Sequence, residues 1–181
     1  MENNTSVTIA ALGTTISQCP WTGDVWTLNN GYKTSQKFDK LFLVHKPPGT
    51  HLNWKEIAEL SETVEIVSLH PLPKTRTTMY PFEKIRKKFG TDYFSDTICY
   101  MIAYALYLDY NEIRMYGADL SEEYREEKGG VEYWVGYARG RGVRVWIAPG
   151  STLCHTELNR PYGTDEYERI RIWKEVQGGV K

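Results

Sequence analysis

The sequence predicts an α/β protein: a mostly parallel six-stranded sheet with helices on both faces, followed by a C-terminal helical tail. Two observations carry that reading. Short apolar, β-branched runs alternate along the chain with segments of helical spacing, the order that builds parallel strands joined by crossover helices. Two of those runs, Val7–Leu12 and Lys40–Val44, show little alternation, as expected of strands covered on both faces.

The expected strands are Val7–Leu12, Val25–Leu28, Lys40–Val44, Val64–Leu69, Glu112–Tyr116 and Val143–Ile147. After the third, Asn53-Trp54-Lys55-Glu56 reads as a capping-box-like opening for a helix reaching about Leu60. Tyr80-Pro81 sets a proline at a first helical position, and Gly90 closes that helix after Phe89. Ser95 can cap a longer helix in which Ile98, Met101, Ile102, Ala105 and Leu106 recur at helical spacing. The last helix, Val131–Arg139, leads through Gly140-Arg141-Gly142 into the last strand. The stretch from Glu65 to Thr78 and the residues after Pro149 fit the alternation least. The expected organisation is one domain over residues 1–154 and a tail over residues 155–181. In the tail, Tyr167, Ile170, Ile172 and Trp173 fall in a short helical pattern opening near Thr164-Asp165. Burial of these large apolar groups against a second copy makes a homo-oligomer the expectation.

Composition narrows the function. Across 181 residues, 22 basic against 23 acidic side chains leave a net charge of −1. That excludes the broad cationic footprint of a general nucleic-acid-coating protein and leaves room for a local phosphate pocket. No apolar run approaches the roughly 20 residues needed to span a bilayer, and the opening MENNTSVTIAALG has no basic n-region. Three widely spaced cysteines without CxxC, and four histidines without HxxxH or HxH, argue against a disulfide framework or a metal site. A cytoplasmic location is expected. Aromatic content is 13%, with 13 tyrosines and 6 tryptophans; such rings fill cores, stack on bases and build interfaces.

In an open parallel sheet, ligands bind beyond the carboxyl ends of the strands, so those residues carry the candidate chemistry. After the first strand, Gly13 lets the backbone approach a phosphate, and Thr14, Thr15 and Ser17 offer donors; the bland reading is a strand-to-helix turn. After the second, the Asn29 and Asn30 amides can read a base or ribose edge, although Asn-Gly alone marks a turn. His45 and His70 follow the third and fourth strands. After the fifth, Asp119 can accept from a ribose hydroxyl or a substrate amine. The charged run Ser121–Lys128 has the composition of a solvated face; within it, Tyr124 and Arg125 could form a stack and a phosphate clamp. After the sixth, Pro149-Gly150-Ser151-Thr152 is a second loop of small donors. Walker A, GxGxxG, GxSxG and HExxH motifs are absent.

Taken in order, these segments resemble a known group. CYMIAYALYLDYNEIRMYGADL (Cys99–Leu120) is similar to the helix-strand-"G-I/V-D" segment of the bacterial sialyltransferases and of the 6-hydroxymethylpterin pyrophosphokinase-like Rossmann proteins. Val7–Ser17 is similar to their opening strand and "G-x-G-P-S" loop, with Thr15 and Ile16 replacing the second glycine and the proline. Val25–Asn30 resembles their strand ending in a nucleotide-contacting asparagine, here Asn29. Thr97 is the nearest match to their Thr-Ser-Gly, with Ile98 in place of the glycine. Val131–Leu153 resembles their closing helix, strand and "C-P-x-S-L". The GGVEYW segment resembles small stand-alone bacteriophage proteins of this kind.

The resemblance implies a Rossmann-like fold and a nucleotide-type ligand, with no other cofactor. Together with the residue chemistry above, it gives expected ligand contacts from Gly13, Thr14, Thr15, Ser17, Asn29, Asn30, Thr97, Asp119, Tyr124, Arg125 and Ser151. The transferases carry a general-base histidine after the G-x-D segment, and Leu120–Gly130 contains none, which leaves His70, Asp119 and Tyr124 as candidates for that role. A general base is worth about 10²–10⁴-fold in rate. The expected function is therefore a phage-type protein that holds a nucleotide-derived small molecule. It would sequester a host defence signal of the cyclic ADP-ribose or cyclic-nucleotide type in the host cytoplasm. The alternative is a glycosyltransferase- or pyrophosphokinase-like enzyme using a nucleotide-sugar or a nucleoside triphosphate.

Overall fold

The elements form close to where the apolar patterning places them. The computed structural model describes residues 5–47, 52–120, 125–156, 160–165, 168, 169 and 171. Its strands are β1 (Ser6–Ala10), β2 (Asp24–Leu28), β3 (Lys40–Leu43), β4 (Glu65–Ser68), β5 (Thr77–Met79), β6 (Glu112–Tyr116) and β7 (Arg144–Ile147). The helices are α1 (Trp54–Leu60), α2 (Phe82–Phe89), α3 (Thr97–Tyr107) and α4 (Arg125–Gly140), with 3₁₀ turns at Thr14–Gln18 and Asn29–Lys33. Every pairing is parallel, and the strand order is β5-β4-β3-β2-β1-β6-β7. This is the Rossmann-like α/β arrangement the sequence predicts, with seven strands among the described residues instead of six. The addition is β5, a three-residue edge strand without a buried side chain. It pairs through its backbone and leaves no apolar signal to read.

One face of the sheet, carrying Val7, Ile9, Trp26, Phe42, Val67, Ile113 and Met115, packs on α2, α3 and α4. Helix α3 is apolar nearly all round and, apart from half-buried Tyr100, is buried from Thr97 to Leu106, as a helix clamped between a sheet and its neighbours must be. On the opposite face Leu41, Leu43 and Ile66 pack on Ile57 of α1. A smaller group, Ala10, Val25 and Tyr116, is covered by Cys19, Ile16 and Trp21. No helix among the described residues is long and apolar enough to cross a membrane.

Three local expectations are corrected or completed. Helix α4 starts at Arg125 rather than Val131, because Gly129-Gly130 does not break it. Gly130 faces α3, where a Cβ would lie 2.0 Å from Ser95 Oγ; the glycine permits close helix packing. Helix α3 is capped by Asp96, whose carboxylate accepts from the Ile98 N–H at 2.6 Å, while the Ser95 hydroxyl donates to the Glu127 carbonyl at 2.8 Å. The Asn53 cap of α1 forms as expected, accepting from the Lys55 and Glu56 N–H groups at 3.2 and 3.4 Å. In the tail, Asp165, Glu168, Arg169 and Arg171 are helical. Tyr167, Ile170, Ile172 and Trp173, on which the oligomer expectation rests, lie outside the described residues.

Candidate functional site

The strand order places the site. The chain steps from central β1 outward through β2 to β5, then returns to β6 and β7 on the other side of β1. The loops after β1 and β6 therefore leave in opposite directions and open a crevice at the carboxyl ends, where ligands of such sheets bind.

The two loops are tied to each other. Thr14 Oγ1 and the Thr15 N–H donate to Asp119 Oδ2, both at 2.9 Å, and Thr15 Oγ1 donates to Asp119 Oδ1 at 2.5 Å. The Gly117 N–H donates to Thr15 Oγ1 at 2.8 Å, and the Gly13 N–H donates to the Gly117 carbonyl at 2.7 Å. The donors expected to face a phosphate thus face a carboxylate, and an anion placed on them would meet the charge of Asp119. Gly13, Thr14, Thr15 and Asp119 shape the crevice floor. Asp119→Asn, which puts an NH₂ group against those donors, is expected to cost about 1–3 kcal/mol of stability in denaturant unfolding. A cost under roughly 0.5 kcal/mol would show that the lock carries no strain-free advantage over solvent.

The loop after β7 is fastened to the same floor. Ser151 is buried, donates through Oγ to the Ala118 carbonyl at 3.0 Å and accepts from the Leu153 N–H at 3.1 Å. Gln18 Nε2 donates to the Pro149 carbonyl at 2.9 Å, and Ser17 Oγ to the Thr14 carbonyl at 3.1 Å. Ser17 and Ser151 are therefore engaged within the protein.

At the end of β2 the situation is reversed. Asn29 holds a left-handed backbone at φ 48°, which is costly for a non-glycine residue. Among the described residues, the Oδ1 atoms of Asn29 and Asn30 are both buried without a hydrogen-bond partner, a rare condition that calls for an explanation. Leu12, 51% exposed, reaches the same corner; a Cβ on Gly31 would sit 3.5 Å from its Cδ2.

The remaining expected residues scatter. Thr97 opens α3 at the carboxyl end of the sheet and is buried. Arg125 opens α4 at the same rim; its side chain and Tyr124 lie outside the described residues. His70 follows β4, three strands from β1. At ~4.8 Å per strand that is roughly 14 Å, beyond the reach of a proton acceptor for chemistry over β1. The sequence patterns assign no role to Leu12 or Asp96; His45, like His70, is placed at a strand end, where a proton donor or ligand contact would be useful. For Leu12 the signal was an apolar residue past a strand end. For Asp96 it was a second capping residue beside Ser95.

Fold and crevice together define the class: a Rossmann-like α/β protein with a crevice at the β1/β6 switch point. No family model matches the chain, and no curated protein sequence matches it. Two solved structures do, both of the sialyltransferase CstII from Campylobacter jejuni. The complex with a substrate analogue, cytidine-5′-monophosphate, shares 19% identity with a TM-score of 0.55. The complex with CMP-3FNeuAc shares 17% identity with a TM-score of 0.59. Each match covers 82% of both chains. The chain has a sialyltransferase-like fold.

Proposed function

We propose that the chain binds a nucleotide-sugar in the β1/β6 crevice and acts on it as a glycosyltransferase-like enzyme. The observation that carries this reading is the pair of buried Oδ1 acceptors on Asn29 and Asn30, unpartnered among the described residues, with Asn29 in a left-handed backbone beside exposed Leu12. Buried acceptors favour a ligand that brings donors, as ribose hydroxyls and base amino groups do. The fold supports it, since the similar structures hold CMP and a CMP-sugar analogue. Because Asp119 occupies the Gly13–Thr15 donors, the phosphate is assigned to the opposite wall, at Thr97 and the start of α4 with Arg125.

Calorimetric titration with CMP tests the reading. Asn29→Ala is expected to weaken binding by about 1–3 kcal/mol, roughly 5- to 150-fold. Unchanged affinity in that variant would remove Asn29 from the site. The second reading is a protein that holds its ligand without turning it over, as the sequestration of a signalling nucleotide would require. The observation in its favour is that residues 120–130 contain no histidine. Incubation with a CMP-linked sialic acid separates the two: release of CMP supports the enzyme, and recovery of the intact donor supports holding.

A further inference from the structure

We propose that the end of the molecule where α2, α3 and α4 terminate docks on an anionic lipid surface. The contact is made by Lys84, Lys87, Lys88 and Arg141 around exposed Leu108.

Measured contacts join these residues into one patch. The Tyr137 hydroxyl of α4 donates to the carbonyl of Phe89, which ends α2, at 3.3 Å. Lys88 of α2 donates to the carbonyl of Tyr107, which ends α3, at 3.4 Å. Its ammonium lies 5.3 Å from the Tyr107 ring centroid and 5.6 Å from that of Phe89. The Arg141 guanidinium, just past α4, stands over the Phe89 and Tyr137 rings at 5.7 and 5.9 Å. Leu108 follows Tyr107 directly and is 43% exposed. Lys87 and Lys88 are three and four residues on from Lys84, so the three exposed lysines share the solvent face of α2.

The charge is concentrated here, since the chain as a whole carries −1. Nearby acids answer part of it: Glu83 pairs with Arg86 at 2.7 Å and Asp109 with Lys88 at 3.3 Å. Asp92 borders the depression that Arg86 and Lys87 also line. Lys84, Lys87 and Arg141 make no ion pair among the described residues. Three helix C-termini attract cations through their dipoles, which accounts for Lys88 and Arg141. It does not account for Lys84, which sits in the first turn of α2, where the dipole opposes a cation. Nor does it account for a leucine left open among the cations.

A lipid surface answers both halves of the patch. Its headgroup phosphates meet the ammonium and guanidinium groups, and the acyl boundary below them takes the leucine. Lys88 already lays its stem along apolar rings beneath its charge, as side chains at such boundaries do. Nucleic acid fits less well, because Phe89 is buried and Tyr107 lies under Lys88, which leaves no open ring face for a base. Helix α4 starts at the crevice rim and runs 16 residues to this end, about 24 Å at 1.5 Å per residue. Docking here therefore keeps the crevice open to solution.

The test is sedimentation of the full chain with vesicles of equal parts phosphatidylglycerol and phosphatidylcholine, and with vesicles of phosphatidylcholine alone. Binding is expected to the mixed vesicles only, and to disappear at about 1 M salt, where the Debye length is ~3 Å. The double change Lys84→Gln and Lys87→Gln is expected to weaken it roughly 30-fold, about fivefold per lysine. Both lysines are exposed, so the melting temperature of that variant should match wild type. Leu108→Gln should weaken binding about 3- to 10-fold through the lost apolar contact. No sedimentation of wild type with the mixed vesicles overturns the proposal. So does equal sedimentation with phosphatidylcholine alone, or unchanged binding by the double-lysine variant. Retention of an oligonucleotide duplex without vesicle binding also overturns it, and assigns the patch to nucleic acid.

Discussion

Trp134→Ala is expected to destabilise the chain by about 3–5 kcal/mol, the range for removing a large aromatic ring from a core. Trp134 is fully buried on α4 and packs against Phe94, Tyr137 and Phe89 with centroid separations of 5.0, 5.5 and 5.8 Å. Its Nε1–H donates to the Tyr93 carbonyl at 2.7 Å. The substitution removes packing, leaves a cavity and strands that carbonyl. For a chain of this length the melting temperature should fall by roughly 6–20 °C. The effect should also reach the site, because Tyr93 and Phe94 belong to the segment that delivers Asp96 and Thr97 to the crevice. Trp134→Phe keeps a smaller ring and loses the hydrogen bond with only part of the packing, so a smaller loss of about 1–2 kcal/mol is expected. Equal losses in the two variants would show that the indole hydrogen bond, and not the packing, dominates.

Gly117→Ala is expected to cost about 2–5 kcal/mol, combining left-handed strain of about 1–2 kcal/mol with overpacking of about 1–3 kcal/mol. Gly117 has φ +68°, and a Cβ there would lie 2.6 Å from the Ala11 carbonyl oxygen and 2.7 Å from its carbon. Both are backbone atoms of the loop leaving β1, so neither can swing aside. The clash sits beside the Gly13–Gly117 hydrogen bond and the Thr15–Asp119 lock. CMP affinity should therefore fall together with stability, which a urea titration and a calorimetric titration on the same variant would report. A variant as stable as wild type would mean that the β1 and β6 loops are not held as described.

Much of this architecture could be read from residue patterns, because the forces that place it are local or periodic. Six of the strands announce themselves as apolar runs, and the Asn53 and Gly90 boundaries follow from capping chemistry. What escaped depended on contacts distant in sequence. Strand β5 is polar and held by β4 alone. Gly130 reads as a breaker until Ser95 of another segment is seen beside it. At the site, the position of each loop was legible and its partner was not. Thr14, Thr15 and Ser151 look like ligand donors until Asp119 and the Ala118 carbonyl are found accepting from them. The asparagines run the other way: Asn-Gly reads as a turn, and only the fold shows two buried acceptors left unpaired among the described residues.

The most direct test of the central claim is to titrate CMP into ¹⁵N-labelled protein and map the amide shifts. The account predicts saturable shifts at Leu12, Gly13, Asn29, Asn30 and Thr97, together with the side-chain amides of both asparagines. It predicts none around the surface depression of ≈ 560 Å³ lined by Glu83, Arg86, Lys87, Gly90, Thr91 and Asp92, where basic side chains would attract any phosphate. Shifts confined to that depression, or no shift at the end of β2, would contradict it.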